Sequence, residues 1–426
     1  MSTPPPQTIS WNLTRLCNLS CGHCYLDAVT RKGEARDELD TAACLEVAAN
    51  LHAVNPEALL ILTGGEPLLR KDLDKIVAAA TAKGLWVVVG TNGTLLNPNR
   101  ATMLKAAGVK GVGISIDSLT PGKHDGFRGR HGAWKGAVAG VKAAVAAGID
   151  TVIQVSVNPW MVGEIPALVD LSLELGARAV NFYFLVCTGR GQEQTQLTSQ
   201  RAEDVYAELF RLQKEHTGRL LVNAKCAPQY QRFIHRKDPH STHLHTFQGG
   251  CPAATHYCRI DPKGEVTPCP YIPISGGNLL RTPFEEIWRD AEPFRRLRDR
   301  EGLQGRCGAC EYRSLCGGCR ARALAGGGGL MDEDPFCTYV PGEVSVEPVS
   351  LPDTALYGAT ARPAGESAWE REALDSLGKI PPFIRSMVKR RMEAYAIKRG
   401  MGSISMEIMA EMRDKAKSIM GGSLPK

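Results

Sequence analysis

The sequence predicts an α/β protein: a partial (β/α)6 TIM-like barrel, then a cysteine-rich extension, then a small α-helical C-terminal domain. Three observations predict it. From residue 8 to about 215, short apolar strand-like runs alternate with segments of helical period. From 216 to 340 the chain is rich in Cys, Gly and Pro and holds only short strands. After a low-complexity linker at 341–365, residues 366–426 return to helical periodicity with a basic stretch.

The strands read ISWNL (9–13), ALLIL (58–62), LWVVV (85–89), VGISI (112–116), TVIQVSV (151–157) and AVNFYFLV (179–186). Helical segments lie between them at 41–53, 71–83, 98–107, 134–147 and 163–175. Gly84, Gly108, Gly148 and Gly176 stand where helix C-caps are expected. Repeated βα units imply a parallel sheet with crossover helices. Six units are too few to close an eight-stranded barrel, and active sites of such folds lie at the C-terminal strand ends.

The 426 residues are 43% hydrophobic and 23% charged, the balance of an ordinary globular protein. The formal charge of +6 is modest, and no basic stripe interleaved with aromatics points to nucleic acid. No secretory pattern opens the chain and no apolar window is long enough to span a bilayer, so a cytoplasmic location is expected. Thiols stay reduced there, so 14 cysteines point to metal or redox chemistry. Cys44, Cys187 and Cys226 stand apart from the clusters and read as buried apolar thiols.

Cys17, Cys21 and Cys24 follow the first strand in the order C-x3-C-x2-C. Three thiolates can hold three irons of a four-iron cubane and leave the fourth open. Zinc suits three cysteines without an adjacent fourth ligand poorly, although His23 could serve. This motif after the first strand of a βα array resembles the radical S-adenosylmethionine (SAM) superfamily. The resemblance implies that SAM chelates the open iron and that its reductive cleavage gives a 5′-deoxyadenosyl radical, which abstracts hydrogen from substrate. No catalytic side chain is assigned beyond the cluster and SAM, and a reducing partner such as flavodoxin or ferredoxin is expected.

Further motifs carry the resemblance along the barrel. Gly64-Gly65-Glu66-Pro67 after the second strand is similar to the family motif that binds the SAM amino group. Thr91 and Asn92 after the third strand, and Ser115 and Asp117 after the fourth, would line its ribose and methionine side. Arg128 would meet the SAM carboxylate, and His23 would lie near adenine. Strand-end polar residues such as Ser115 and Asp117 also serve as helix caps.

Eight cysteines follow: Cys251, Cys258, Cys269, then Cys307-x2-Cys310-x5-Cys316-x2-Cys319, then Cys337. Paired C-x2-C knuckles bind zinc readily, and by spacing alone that reading stays open. Beside a radical SAM core the pattern resembles the SPASM extension, which carries one or two auxiliary four-iron clusters. That resemblance implies Cys251, Cys258, Cys269 and Cys319 for one cluster and Cys307, Cys310, Cys316 and Cys337 for the other. Sulfatase-maturing members carry an Asp after the cysteine matching Cys269, which acts as a base in substrate oxidation. Pro270 stands there in this chain, so formylglycine formation is not expected.

WNLTRLCNLSCGHCY, FLVCTGRG and GCPAATHYCRIDPKGEVTPCPYIP resemble radical SAM enzymes of the alternative haem and haem d1 pathways. Such enzymes decarboxylate or oxidatively remove side chains of sirohaem-derived tetrapyrroles. The tail resembles the small helical domain closing the B subunit of dark-operative protochlorophyllide reductase. Arg385 and Arg390 are candidates to pair with ring carboxylates there, as are Lys389 and Arg391. A solvated face is the plainer reading of these four, with Ile384, Met387, Val388 and Met392 forming the apolar side. His240, His243 and His245 read as a polar loop, with axial ligation of a tetrapyrrole iron as the other reading. A peptide-crosslinking maturase and a zinc scaffold are the alternatives for the whole chain.

Overall fold

The computed structural model describes residues 3, 5–194, 197–239, 241, 244, 250–342, 368–399, 401 and 403–420. His240, His243, His245, most of the 341–365 linker and the side chains of Met387 and Arg390 lie outside the described residues.

The six expected strands form in order: β1 (Thr8–Asn12), β2 (Leu59–Thr63), β3 (Trp86–Thr91), β4 (Gly111–Ser115), β5 (Asp150–Val157) and β6 (Ala179–Phe184). Each pairs in parallel with the next. The intervening helices are α1 (Thr41–Val54), α2 (Leu73–Ala82), α3 (Pro98–Ala107), α4 (Pro121–Arg128), α5 (Ala133–Ala146) and α6 (Ile165–Glu174). Asp40 and Asn97 cap α1 and α3 by accepting from Ala43 and Arg100 N–H groups. All four expected C-cap glycines adopt positive φ.

The sheet runs further than the apolar pattern indicated. After α7 (Ser199–Glu215), strand β7 (Leu221–Lys225) pairs in parallel with β6, and α8 (Gln229–Lys237) follows. Strand β8 (Tyr257–Ile260), from the cysteine-rich region, pairs in parallel with β1. Strands β9 (Glu265–Thr267) and β10 (Gly277–Asn278) add antiparallel to it. The ten-stranded order is β10-β9-β8-β1-β2-β3-β4-β5-β6-β7, so barrel and extension share one sheet. LVNAK does not read as a strand because its alternate positions are polar, and the short strands expected around RIDPKGEVTPC form as β8 and β9 of the same sheet.

Alternation along the strands separates two faces. Ile9, Trp11, Leu60, Leu62, Val87, Val89, Ile153 and Val155 are fully buried in the main core. Gln154, Ser156, Asn181, Tyr183, Asn223, Lys225, Tyr257 and Arg259 take the other parity and are half-buried. Asn223 Nδ2 donates to Asn181 Oδ1 across β6 and β7 at 3.0 Å. The inner face of the half-barrel is therefore polar.

The C-terminal domain has its own core of Ala373, Leu377, Met392, Ala396, Ile404 and Ile408, with Val388 packed against it. Its helices are Arg371–Gly378, Pro382–Lys398 and Met406–Met420. Arg385 is taken up structurally: Nη2 donates to Gly378 O at 2.8 Å, and Nη1 to Glu57 of the barrel at 3.0 Å. It thereby caps one helix and ties the domain to the loop before β2. Lys389 faces Glu393 at 3.9 Å, and Arg391 is exposed.

Because the Arg385–Glu57 pair is partly exposed, a double-mutant cycle with Arg385→Ala and Glu57→Ala is expected to give a coupling of about 1 kcal/mol or less in denaturant unfolding.

Candidate active site

The segment between β1 and α1 carries the cysteine triad and has almost no regular structure, so its backbone groups need partners from elsewhere. Leu16 and Val29 form an isolated bridge, and Cys17 N–H donates to Val29 O at 2.9 Å. Three arginines bind its carbonyls. Arg190 donates to Cys21 O at 3.1 Å and to Ala28 O at 2.8 Å. Arg130 donates to Asn18 O, and Arg15 to Asp27 O. Arg190 lies in the TGRG stretch after β6, so the loop of the first strand is held from the sixth. Its glycine- and arginine-rich signature was visible in sequence, but its target was not.

Gly64 and Gly65 serve the same loop. Glu66 N–H donates to Leu16 O and Gly65 N–H to Thr14 O, at 2.8 and 2.7 Å. A Cβ on Gly65 would stand 2.3 Å from Leu16 O, and one on Gly64 2.5 Å from Thr14 O. The glycine pair thus lets the end of β2 lie against the backbone of the cysteine loop. Glu66, expected at the SAM ammonium, is fully buried. Its carboxylate accepts from Thr91 Oγ1 at 2.8 Å, Asn92 N–H at 2.9 Å and Leu68 N–H at 3.0 Å. Burial raises its pKa, and these bonds oppose the rise. Pro67 opens the short turn that Glu66 caps. In this arrangement Glu66 sets the geometry of the Thr91–Asn92 turn. Asn92 Nδ2 in turn reaches Asn18 Oδ1 at 2.8 Å and comes within 4.0 Å of Cys17 Sγ.

Asp117 and Arg128 form a buried ion pair, Nε to Oδ2 at 2.6 Å, and Asp117 Oδ1 accepts from Ser156 N–H. Burial alone would raise Asp117, but the Arg128 guanidinium outweighs it and holds the carboxyl down to about 2. His124 also lies beside Asp117 but accepts its N–H at Nδ1, and burial lowers its pKa to about 4. It is a neutral neighbour, not an ion-pair partner. Arg128 Nη1 extends to 4.0 Å from Cys21 Sγ, so the cation expected at a carboxylate is already shared between Asp117 and a thiol. Ser115 closes β4, in register with Gln154.

His23 stacks on Phe127 with ring centroids 4.1 Å apart, and Phe127 meets Trp160 edge-on at 5.3 Å. Burial lowers the His23 pKa to about 3, so the ring is neutral; its Nδ1 is buried without a partner. Phe127 and Trp160 went unnoticed in sequence because an aromatic at a helix or turn position ordinarily reads as core.

The triad fits a cluster by its donor chemistry. Burial pushes Cys17 up to about 12 and raises Cys21; Cys17 feels Cys21 and Cys24, and Cys21 feels Cys24. Neighbouring thiols that include two desolvated ones favour a cation that displaces protons. Leu19 N–H points at Cys17 Sγ at 3.4 Å and Ala28 N–H at Cys24 Sγ at 3.5 Å, the kind of donation that tunes iron–sulfur ligands.

The downstream cysteines divide into two sets. Cys307, Cys310, Cys316 and Cys337 line one cavity, with Tyr312 and Asp334 beside them. Gly318 N–H points at Cys316 Sγ and Asp334 N–H at Cys307 Sγ, at 3.5 and 3.4 Å. Elsewhere, Cys269 feels the charges of Cys251 and Cys319. Cys258, expected with them, is not brought there: it is fully buried on β8 with Arg298 as its charged neighbour. Asp334, missed in sequence, joins the two sets. Its carboxylate accepts from Cys319 N–H at 2.7 Å and pairs with buried Arg322 at 3.0 Å.

An open parallel barrel with three cysteines gathered at its first strand end defines a class, and the comparisons agree. The model of the radical SAM superfamily matches residues 11–168, and that of the SPASM iron-sulfur cluster-binding domain residues 251–319. The proto-chlorophyllide reductase 57 kD subunit model matches residues 369–413. The chain is 38% identical over 349 residues to the AdoMet-dependent heme synthase of Methanosarcina barkeri, covering 80% of this chain and 99% of that one. It is 32% identical to the pre-heme d1 synthase of Dinoroseobacter shibae (74% and 81% covered). It is 30% identical to the mycofactocin maturase MftC of Mycobacterium ulcerans (78% and 88%). The structure of Streptococcus suis SuiB bound to S-adenosylmethionine shares the fold, with a TM-score of 0.64 at 15% identity over 79% of this chain and 78% of that one. The chain belongs to the radical SAM superfamily and is an enzyme of it. Its two matched domains imply four-iron clusters and S-adenosylmethionine. No helix among the described residues is long and apolar enough to cross a membrane.

Two outcomes follow from this geometry. Arg190→Ala is expected to lower iron and labile sulfide in anaerobically purified protein. Arg190→Lys should not restore them, because one ammonium cannot serve both carbonyls as the guanidinium fork does. Asp334→Ala, leaving Arg322 buried and unpaired, should cost about 3–5 kcal/mol in denaturant unfolding.

Proposed function

We propose that the enzyme uses a 5′-deoxyadenosyl radical to decarboxylate or oxidatively remove side chains of a sirohaem-derived tetrapyrrole. One observation carries the reading: the similarity to a heme synthase spans 80% of this chain and 99% of that one. Cys17, Cys21 and Cys24 hold the four-iron cluster with an open iron. Cys307, Cys310, Cys316 and Cys337 hold one auxiliary cluster, and Cys251, Cys269 and Cys319 supply three ligands of a second. When bound together, the first cluster and SAM supply the radical.

The remaining roles belong to the protein. Neutral His23, backed by Phe127, offers a flat surface for adenine. Gly64, Gly65, Glu66 and Pro67 shape the turn at the amino group, and Thr91, Asn92, Ser115, Asp117 and Arg128 border the rest of the cofactor. On the inner face, Arg259 Nε is buried without a partner, and burial lowers the Lys225 ammonium. A carboxylate beside them satisfies the first and opposes the effect of burial on the second. That suits a ring with acetate and propionate edges. A reducing partner such as flavodoxin or ferredoxin delivers the electron. The similarity to the maturase MftC favours a second reading, crosslinking of a small precursor peptide.

Reduced, cluster-loaded enzyme should consume didecarboxysirohaem or iron-coproporphyrin in the presence of SAM, with 5′-deoxyadenosine formed and the ring mass changed in mass spectrometry. Unaltered rings across that panel, with SAM cleavage intact, would sink the tetrapyrrole reading in favour of the peptide one. The double variant Lys225→Ala/Arg259→Ala should raise KM for the ring at least about tenfold, the loss of one charged hydrogen bond or more, and leave uncoupled SAM cleavage unchanged.

A further inference from the structure

Cys258 follows Tyr257 and precedes Arg259 on β8, and strand alternation puts it on the opposite face from both. Tyr257 and Arg259 point inward: Tyr257 bonds Ser10 and feels Cys269, and Arg259 acts on Tyr25. Cys258 shares the outer face with its register partner Ile9, which is fully buried in the main core. Its charged neighbour there, Arg298, lies on the helix Glu292–Arg298 and donates Nε to Ala254 O at 2.8 Å. A one-residue change of parity would be needed to turn the thiol inward, and the β1–β8 pairing forbids it.

Another cysteine takes the inner position. Cys226 stands at the C-terminal end of β7, immediately after Lys225. The Tyr271 side chain, two residues beyond Cys269, hydrogen-bonds its thiol. Arg322 Nη2 donates to its carbonyl at 2.7 Å while Nη1 of the same guanidinium pairs with Asp334, whose carboxylate also holds Cys319 N–H. Cys226, Cys251, Cys269 and Cys319 each act electrostatically within this one group of thiols. Cys226 is also one of four non-glycine described residues with positive φ, at 55°. That conformation is unfavourable for a residue with a side chain and persists where surrounding contacts impose it.

We infer that Cys226, and not Cys258, is the fourth thiolate of the auxiliary site formed by Cys251, Cys269 and Cys319. Four cysteines then close that cubane, as four close the Cys307, Cys310, Cys316 and Cys337 site. The first ligand of the site comes from the barrel's own last strand, so the cluster joins barrel and extension. The inference rests on the reading that this cysteine field binds iron–sulfur clusters, and does not depend on the tetrapyrrole substrate.

The test uses full-length protein with Cys17, Cys21 and Cys24 replaced by Ala, so that only auxiliary clusters remain. Iron, labile sulfide, Mössbauer and EPR spectra are measured after anaerobic reconstitution, with circular dichroism to check folding. In that background Cys226→Ala should lower iron by up to about half, one cubane of two, or leave a three-iron cluster with its own EPR signature. Cys226→Ser should keep the iron but shift the spectrum and potential of one cluster, because serinate replaces thiolate. Cys258→Ala should match the parent in iron and spectra. Parental spectra for both Cys226 variants, or the same loss from Cys258→Ala, would overturn the assignment. A parent without iron or sulfide would instead overturn the cluster reading itself, and the assignment with it.

Discussion

The close backbone approach between the end of β2 and the triad loop is the contact on which the active site depends. A loop holding three thiols around a cluster cannot also be a helix or strand, so its N–H and C=O groups must find partners outside it. Gly65 N–H on Thr14 O and Glu66 N–H on Leu16 O fasten it to β2. Asn92 and Asn18 fasten it to β3, and Arg190 to the end of β6. The strand ends thus serve first as scaffolding for the loop and, through the same residues, as the border of the cofactor site.

Charge follows the same economy. The thiols are buried, and burial raises the pKa of Cys17, Cys21, Cys310 and Cys316, so each favours protonation until a cation arrives. Guanidinium groups stand beside them in advance: Arg128 near Cys21, and Arg320 at 3.6 Å from Cys307 Sγ. Each is anchored, Arg128 by Asp117 and Arg320 by the Leu330 and Asp332 carbonyls. Fixed cations lower the cost of several thiolates in a region with little water.

The extension belongs to the barrel's own sheet. Strand β8 completes the side of β1 that a closed barrel would have covered, and its inward Tyr257 and Arg259 interact with Tyr25, the residue after Cys24. Tyr25, next to Cys24, meets Tyr271 edge-on at 5.2 Å, and Tyr271 bonds Cys226. Side chains from the first strand loop and from the cysteine-rich extension therefore meet inside the barrel. The polar inner face, with Lys225 and Arg259, lies on the same side of the sheet.

Sequence by itself determined the six strands, the helices between them, their C-cap glycines and the cysteine triad. These signals are local: apolar runs, period, glycine positions and cysteine spacing act within a few residues. Tertiary structure decided what depends on the face of a strand or on a distant partner. It turned Glu66 and Arg128 toward the loop architecture, spent Arg385 on a helix end and on Glu57, and made Asp334 the hinge of two cysteine sets. It also separated Cys258 from the thiols the resemblance grouped it with, because alternation on β8 gives adjacent residues opposite faces. The reason is common to all: a spacing fixes which residues are near in the chain, whereas ligation and pairing need side chains on one surface.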